Sequence, residues 1–87
     1  MASIAPRRKI LILEDEPSMR NVLYVLLAGL GYDGEAASDA RQALAKVSRD
    51  QFDAVLLDLR SSQLPLEEMV GAITELRPNL VGRVLVI

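Results

Sequence analysis

Residues 9–16 read KILILEDE, and residues 52–58 read FDAVLLD. Each stretch contains a short, continuous apolar run, at residues 10–13 and 54–57, that is followed directly by an acidic residue. Such runs are typical of strands buried on both faces of a parallel sheet, because strands covered on one face alternate apolar and polar residues. Parallel strands share a carboxyl-terminal edge, so the sequence predicts that Asp15 and Asp58 lie at the same edge of one sheet.

This shared edge is where ligands of open α/β sheets bind, in the crevice at which the strand order reverses. Carboxylates that crowd together there repel one another unless a cation lies between them. Mg²⁺ takes oxygen ligands and keeps several of its waters, so it suits such a cluster. We therefore expect a Mg²⁺ site, although Asp15 as a simple helix cap and Asp58 as a solvated acid stay open as alternatives.

The composition narrows the chemistry that this chain can perform. Its 87 residues carry a formal net charge of −2, are 51% hydrophobic, and include no cysteine and no histidine. Disulfides, thiolate metal sites and imidazole bases are therefore excluded. The charge offers no basic field for nucleic acid, and the apolar run at residues 10–13 is too short for a membrane span or a signal peptide. We expect a cytoplasmic domain with neither nucleic acid nor membrane as a partner.

Strands and helices alternate along the chain. The apolar runs predict strands at residues 9–13, about 32–37, 52–58 and 81–87. Helices are predicted to start at Pro17, after a cap at Ser38 or Asp39, and near Leu66, and to end near residues 29–31, 49 and 76. This alternation indicates βαβ units and a parallel sheet with helices on both faces.

Apolar spacing identifies the residues that should face the core. Gly34 weakens the second strand and indicates that it lies at an edge of the sheet. In the first helix, Leu26 and Leu27 are expected in the core. The third helix should point four apolar residues inward: Met69, Val70, Ile73 and Leu76.

Residues 9–20, KILILEDEPSMR, and residues 52–60, FDAVLLDLR, resemble the receiver domain of two-component response regulators. The likeness covers almost the whole chain. It implies an α/β, flavodoxin-like, doubly wound parallel sheet, here an incomplete (βα)3β unit with strand order 2-1-3-4. Residues 1–8 would be an N-terminal leader, and residues 9–87 a truncated receiver domain that lacks the C-terminal third.

The resemblance also implies roles for the acidic residues. Asp58 would accept a phosphoryl group from a sensor histidine kinase, with Mg²⁺ as the cofactor. The metal would be held by Asp58, by Asp15 directly, and by Glu14 from beside it or through water. The backbone carbonyl of Arg60 would be a further ligand. We therefore expect a phosphoacceptor of two-component signal transduction and phosphorelay, not an enzyme.

The sequence departs from the family pattern in three places. Glu14 stands where aspartate is commoner. Residues 59–66, LRSSQLPL, place Ser62 where the family usually has proline, and because the overall loop length is unchanged we expect altered loop geometry without an insertion. A full receiver continues past the fourth strand with a hydroxyl residue, a lysine and a closing helix. Since this chain ends at Ile87, we expect impaired phosphoryl transfer.

Two other functions stay open. A pseudo-receiver would keep the fold as a non-phosphorylated module for protein–protein interaction or dimerisation. A metal-dependent phosphohydrolase with an aspartyl nucleophile would need a second acid two residues after the nucleophile, where Arg60 stands. Mg²⁺-dependent labelling by a small phosphodonor distinguishes a phosphoacceptor from the pseudo-receiver.

An incomplete fold would also leave apolar surface uncovered. Residues 84–87, VLVI, would form an unpaired strand edge, and the outer side of the first helix, with residues such as Leu23, Val25 or Leu27, would be bare. We therefore expect a homo-oligomer through the strand-four edge or the first helix. A partly molten monomer is the alternative.

Overall fold

The computed structural model describes residues 7–58, 60 and 63–87, and its strands form one parallel sheet. The strands are β1 (Lys9–Leu13), β2 (Asp33–Ala37), β3 (Ala54–Leu57) and β4 (Val84–Val86). Their order is β2-β1-β3-β4. This confirms the α/β fold class, the strand order 2-1-3-4 and the edge position of β2, and it places the reversal of strand order between β1 and β3.

In the described part of the chain the α-helices are α1 (Pro17–Gly29), α2 (Ala40–Arg49) and α3 (Leu66–Leu76). As expected, α1 begins at Pro17, whose missing N–H costs nothing in a first turn. It ends just before Gly31, whose φ of +89° is the left-handed conformation that terminates many helices and favours glycine. At α2 the cap is Asp39, whose carboxylate accepts the N–H of Gln42 at 2.8 Å. Within the described ranges, no helix is long and apolar enough to cross a bilayer.

The fully buried core lies between one face of the sheet and helices α2 and α3. Leu11 and Leu13 of β1 belong to it, because alternate residues of a strand point to the same face. The other members are Ala37, Ala40, Ala43, Val47, Phe52, Val55, Leu57, Met69, Ile73 and Leu80.

The opposite face of the sheet carries α1 and is covered less completely. None of the thirteen residues of α1 is buried. The helix comes close to the sheet at Gly34, where a Cβ atom would lie 3.0 Å from the ring of Tyr24. Beside α1 an open, largely apolar groove of about 250 Å³ is lined by residues that include Leu27, Leu56 and Leu85.

Several expectations about burial were wrong. Leu26 was expected in the core but is exposed, because α1 has little packed against its outer side. Leu23 was expected on the bare side of α1 but is half-buried, whereas Val25 is exposed there as predicted. Leu76 is exposed rather than inward, since Leu80 in the 3-10 turn at Pro78–Leu80 fills the core instead.

The third and fourth strands are shorter than predicted. β3 covers Ala54–Leu57 rather than residues 52–58, although Phe52 is buried. β4 covers only Val84–Val86 because the 3-10 turn and the turn at Gly82 use the residues before it. As one edge of the described sheet, β4 pairs with β3, and Leu85 is 57% exposed, so it is not a strand covered on both faces.

Candidate functional site

The carboxyl ends of β1 and β3 meet at one edge of the sheet. Leu13 pairs with Leu57, so Glu14 and Asp58 are the next residues of neighbouring strands. The backbone N–H of Asp58 donates to the carbonyl of Leu13 at 3.1 Å, and the N–H of Glu14 donates to the carbonyl of Ala37 at 3.0 Å. These hydrogen bonds fix both backbones at the edge.

A cleft of about 310 Å³ opens at this edge, and it brings together all four residues that the sequence analysis assigned to a metal site. It is lined by Glu14, Asp15, Glu16, Met19, Asp58 and Arg60. Glu14 and Asp58 are only 1% and 3% exposed, whereas Asp15 lies at the surface. The cleft therefore has a buried acidic floor and an exposed acidic rim.

Two hydrogen-bonding residues, Glu16 of the cleft lining and Arg20 of helix α1, connect the cleft with that helix. The carboxylate of Glu16 accepts the backbone N–H groups of Ser18 at 3.2 Å and Met19 at 2.8 Å. These hydrogen bonds hold the pKa of Glu16 below its ordinary value, and the bond from Met19 contributes the most. The residue that caps α1 is therefore Glu16 and not Asp15, which the sequence had left open as a helix cap. Arg20, which was not predicted at this site, donates from Nη1 to the carbonyl of Glu14 at 3.4 Å.

The Asp58 carboxylate is held by hydrogen bonds from Arg60. The backbone N–H of Arg60 donates to Oδ1 at 2.9 Å, and the guanidinium donates from Nε to Oδ1 and from Nη2 to Oδ2, both at 3.3 Å. The backbone N–H of Arg60 contributes most, and its guanidinium next, to keeping the pKa of Asp58 below its ordinary value. Asp58 is therefore ionised at neutral pH.

The guanidinium contact was missed by sequence reasoning, which assigned only a backbone role to Arg60. The signal available was an arginine two residues after a strand-end acid. An arginine side chain is long enough to turn back onto such a carboxylate, and its planar fork matches the two oxygens.

The donors in the cleft suit a hard divalent cation. Asp15, Asp58 and Glu14 line the cleft with carboxylates, and Arg60, whose carbonyl is the further predicted ligand, lines it as well. Mg²⁺ keeps several waters and is usually bound through one or two carboxylates. Among the described residues, no three acidic side chains form a cage around one point. The arrangement thus fits a largely hydrated ion held by two carboxylates.

The loop after β3 is described only in part. The predicted change in its geometry concerns residues 59–65, of which residues 59, 61 and 62, including Ser62, lie outside the described residues. In the described part, Gln63 Oε1 accepts the backbone N–H of Ala40 at 3.0 Å. The end of this loop is therefore tied to the first residue of α2.

Comparison with known proteins assigns a family to this architecture. Residues 10–80 match the family model of the response regulator receiver domain. A probable transcriptional regulator, ycf27 of Porphyridium aerugineum, is 37% identical over 71 residues, which are 82% of this chain and 28% of the relative. The chain therefore spans little more than a quarter of that curated relative.

Solved structures are similar to this chain in both fold and sequence. The chemotaxis response regulator CheY4 of Vibrio cholerae is 28% identical with a TM-score of 0.82, over 93% of this chain and 68% of that one. The receiver domain of a sensor histidine kinase from Pseudomonas aeruginosa PAO1 is 30% identical with a TM-score of 0.72, over 80% and 57%. That structure holds a magnesium ion coordinated in its active-site cleft.

Proposed function

Because the chain belongs to the response regulator receiver domain family, we propose that Asp58 accepts a phosphoryl group from a sensor histidine kinase, with Mg²⁺ as the cofactor. The observation that carries this proposal is the buried Asp58 carboxylate, which the N–H of Arg60 holds in one cleft with Glu14 and Asp15. A carboxylate that is ionised and fixed in place can act as a nucleophile. In this proposal the domain receives a signal and turns over no substrate of its own.

Phosphoryl transfer requires the site to position one carboxylate oxygen. An oxygen of Asp58 forms the new bond to phosphorus while the bond from phosphorus to the leaving group breaks, and the leaving group keeps that electron pair. The N–H of Arg60 holds Oδ1 at 2.9 Å and so restricts the carboxylate. When bound, Mg²⁺ would offset the repulsion between the carboxylate and the incoming phosphate. Asp15, Asp58 and the carbonyl of Arg60 would hold the ion directly, with Glu14 beside it.

Labelling with a small phosphodonor tests this proposal. Acetyl phosphate or phosphoramidate should label the protein in the presence of Mg²⁺, and mass spectrometry should place the modification on Asp58. Asp58→Asn should abolish labelling, whereas the control Asp33→Asn, at the start of β2, should retain it. Labelling at another residue, or none with Mg²⁺ bound, would contradict the proposal and favour a non-phosphorylated interaction module.

Metal binding can be measured separately from labelling. Titration of the metal-free protein with Mg²⁺ should shift NMR signals near Asp15 and Asp58 with modest affinity, because an ion at an exposed rim keeps much of its water. Asp58→Asn should weaken these shifts. Shifts that are the same in Asp58→Asn would rule out Asp58 as a ligand.

We also propose that the domain forms a homo-oligomer through α1 or the β4 edge. Val22, Leu26 and Leu30, spaced four residues apart, form an exposed stripe on α1, and Leu85 and Ile87 are exposed at β4. Contiguous apolar patches of more than a few hundred Å² are rarely left in water. Sedimentation at micromolar concentration should show association, which Leu26→Glu disrupts if the contact is through α1 and Leu85→Glu disrupts if it is through the β4 edge. A wild-type monomer with cooperative unfolding and no binding of a hydrophobic dye would exclude both this and the molten alternative.

A further inference from the structure

The guanidinium of Arg60 lies on the proposed phosphoacceptor. It contacts both carboxylate oxygens of Asp58, each at 3.3 Å. The Arg60 side chain is 82% exposed, whereas that of Asp58 is 4% exposed. A long, solvent-facing cation therefore covers a carboxylate that is otherwise enclosed by the protein.

The same guanidinium interacts electrostatically with all three acidic residues Glu14, Asp15 and Asp58 of the cleft. The hydrogen bond to Asp58 is the main cause that raises the pKa of Arg60, and the charges of Glu14 and Asp15 add to it. Arg60 thus supplies a positive charge at the place where the carboxylates would otherwise repel one another. A divalent cation would bind at the same place, and two cations at one site repel each other.

We propose that Arg60 is a built-in counter-ion that competes with the divalent cation for Asp58. The inference rests on the proposed function of this site. Because the two cations use the same carboxylate oxygens, the divalent cation can bind only when the guanidinium moves away from Asp58. The exposed side chain loses little packing when it does so, and its backbone carbonyl stays in place. Arg60 is in this sense a positioning residue that sets the Mg²⁺ concentration at which Asp58 becomes available.

Mg²⁺ affinities of matched variants test the competition. At constant ionic strength, Arg60→Gln should bind Mg²⁺ about two- to fivefold more tightly than the wild type, the range that corresponds to an exposed ion pair. Arg60→Lys keeps the charge without the planar fork and should fall between the two. Arg49→Gln, which removes the same charge at the far end of α2, should bind as the wild type does. NMR titration of backbone amides gives all four affinities.

The Arg60 side chain provides a second readout. As Mg²⁺ is added, the NMR signal of the Arg60 Nε–H should shift with the same concentration dependence as the backbone amide signal of Asp58. If the wild type and Arg60→Gln bind Mg²⁺ equally well, or if Arg60→Gln binds it more weakly, the competition is wrong while the proposed function stands. If no variant, including the wild type, binds Mg²⁺, both the inference and the metal-dependent function are overturned.

Discussion

The two faces of the sheet are packed to very different degrees. On the side of α2 and α3, Val47, Leu57 and Ile73 are almost completely excluded from water, whereas on the other side Val25 and Leu26 of α1 are 72% and 57% exposed. The stability of the described fold therefore comes mainly from the α2–α3 side. The acidic cleft lies at the carboxyl ends of β1 and β3, which belong to both sides.

The largest expected loss of stability comes from creating a cavity in the core between the sheet and helices α2 and α3. Ile73→Ala should lower the free energy of unfolding by about 2–5 kcal/mol, because it leaves a cavity among fully buried neighbours. Leu76→Ala, in the same helix but with a side chain that is 46% exposed, should cost less than about 1 kcal/mol. Urea unfolding measures both. Equal losses would mean that α3 buries Leu76 as deeply as Ile73.

A matched pair of valines compares the two sides directly. Val47 in α2 is 0% exposed and Val25 in α1 is 72% exposed, and both lie within helices. Val47→Ala should cost about 1–2 kcal/mol, since each buried methylene contributes about 0.8 kcal/mol. Val25→Ala should stay within about 0.5 kcal/mol of the wild type. The gain in helix propensity is the same for both, so it cancels. If Val25→Ala cost as much as Val47→Ala in a monomer, the α1 side would be packed as well as the other.

The smallest effect is a pH dependence at the cleft between the two sides. Hydrogen bonds from Arg60 lower the pKa of Asp58 in the folded state, so its ionised form stabilises the fold above its ordinary pKa of 3.8. This contribution is lost as the pH falls through the lowered, folded value. In metal-free buffer, the difference in unfolding free energy between the wild type and Asp58→Asn should be constant near neutral pH and shrink below about pH 4. A difference that does not change with pH would contradict the lowered pKa.

The sequence predicts the order and type of the elements well because those signals are local. Pro17 marks the start of α1, Asp39 marks the cap of α2, and continuous apolar runs mark the strands. Burial was predicted less well, since it depends on what packs against an element. The same apolar spacing describes both Ile73, which is buried, and Leu76, which is not.

At the site, the rule that parallel strands share a carboxyl-terminal edge was enough to place Asp15 and Asp58 together. The capping role of Glu16 rather than Asp15 depends on backbone angles that the residue types do not determine. The contact of the Arg60 guanidinium with Asp58 depends on a choice among side-chain rotamers, and neither composition nor spacing encodes that choice.

Cross-strand hydrogen bonds along the acidic edge have a consequence for hydrogen exchange. The N–H of Glu14 bonds to β2, that of Asp58 bonds to β1, and that of Ile87 bonds to the carbonyl of Leu57 at 2.8 Å. One line of bonds thus joins all four strands just where the loops begin. The amide protons of Glu14 and Asp58 should therefore exchange with solvent as slowly as those inside the sheet, since releasing either requires the strands themselves to separate. A ligand that binds these carboxylates would therefore contact backbone whose hydrogen bonds break only when the strands of the sheet separate.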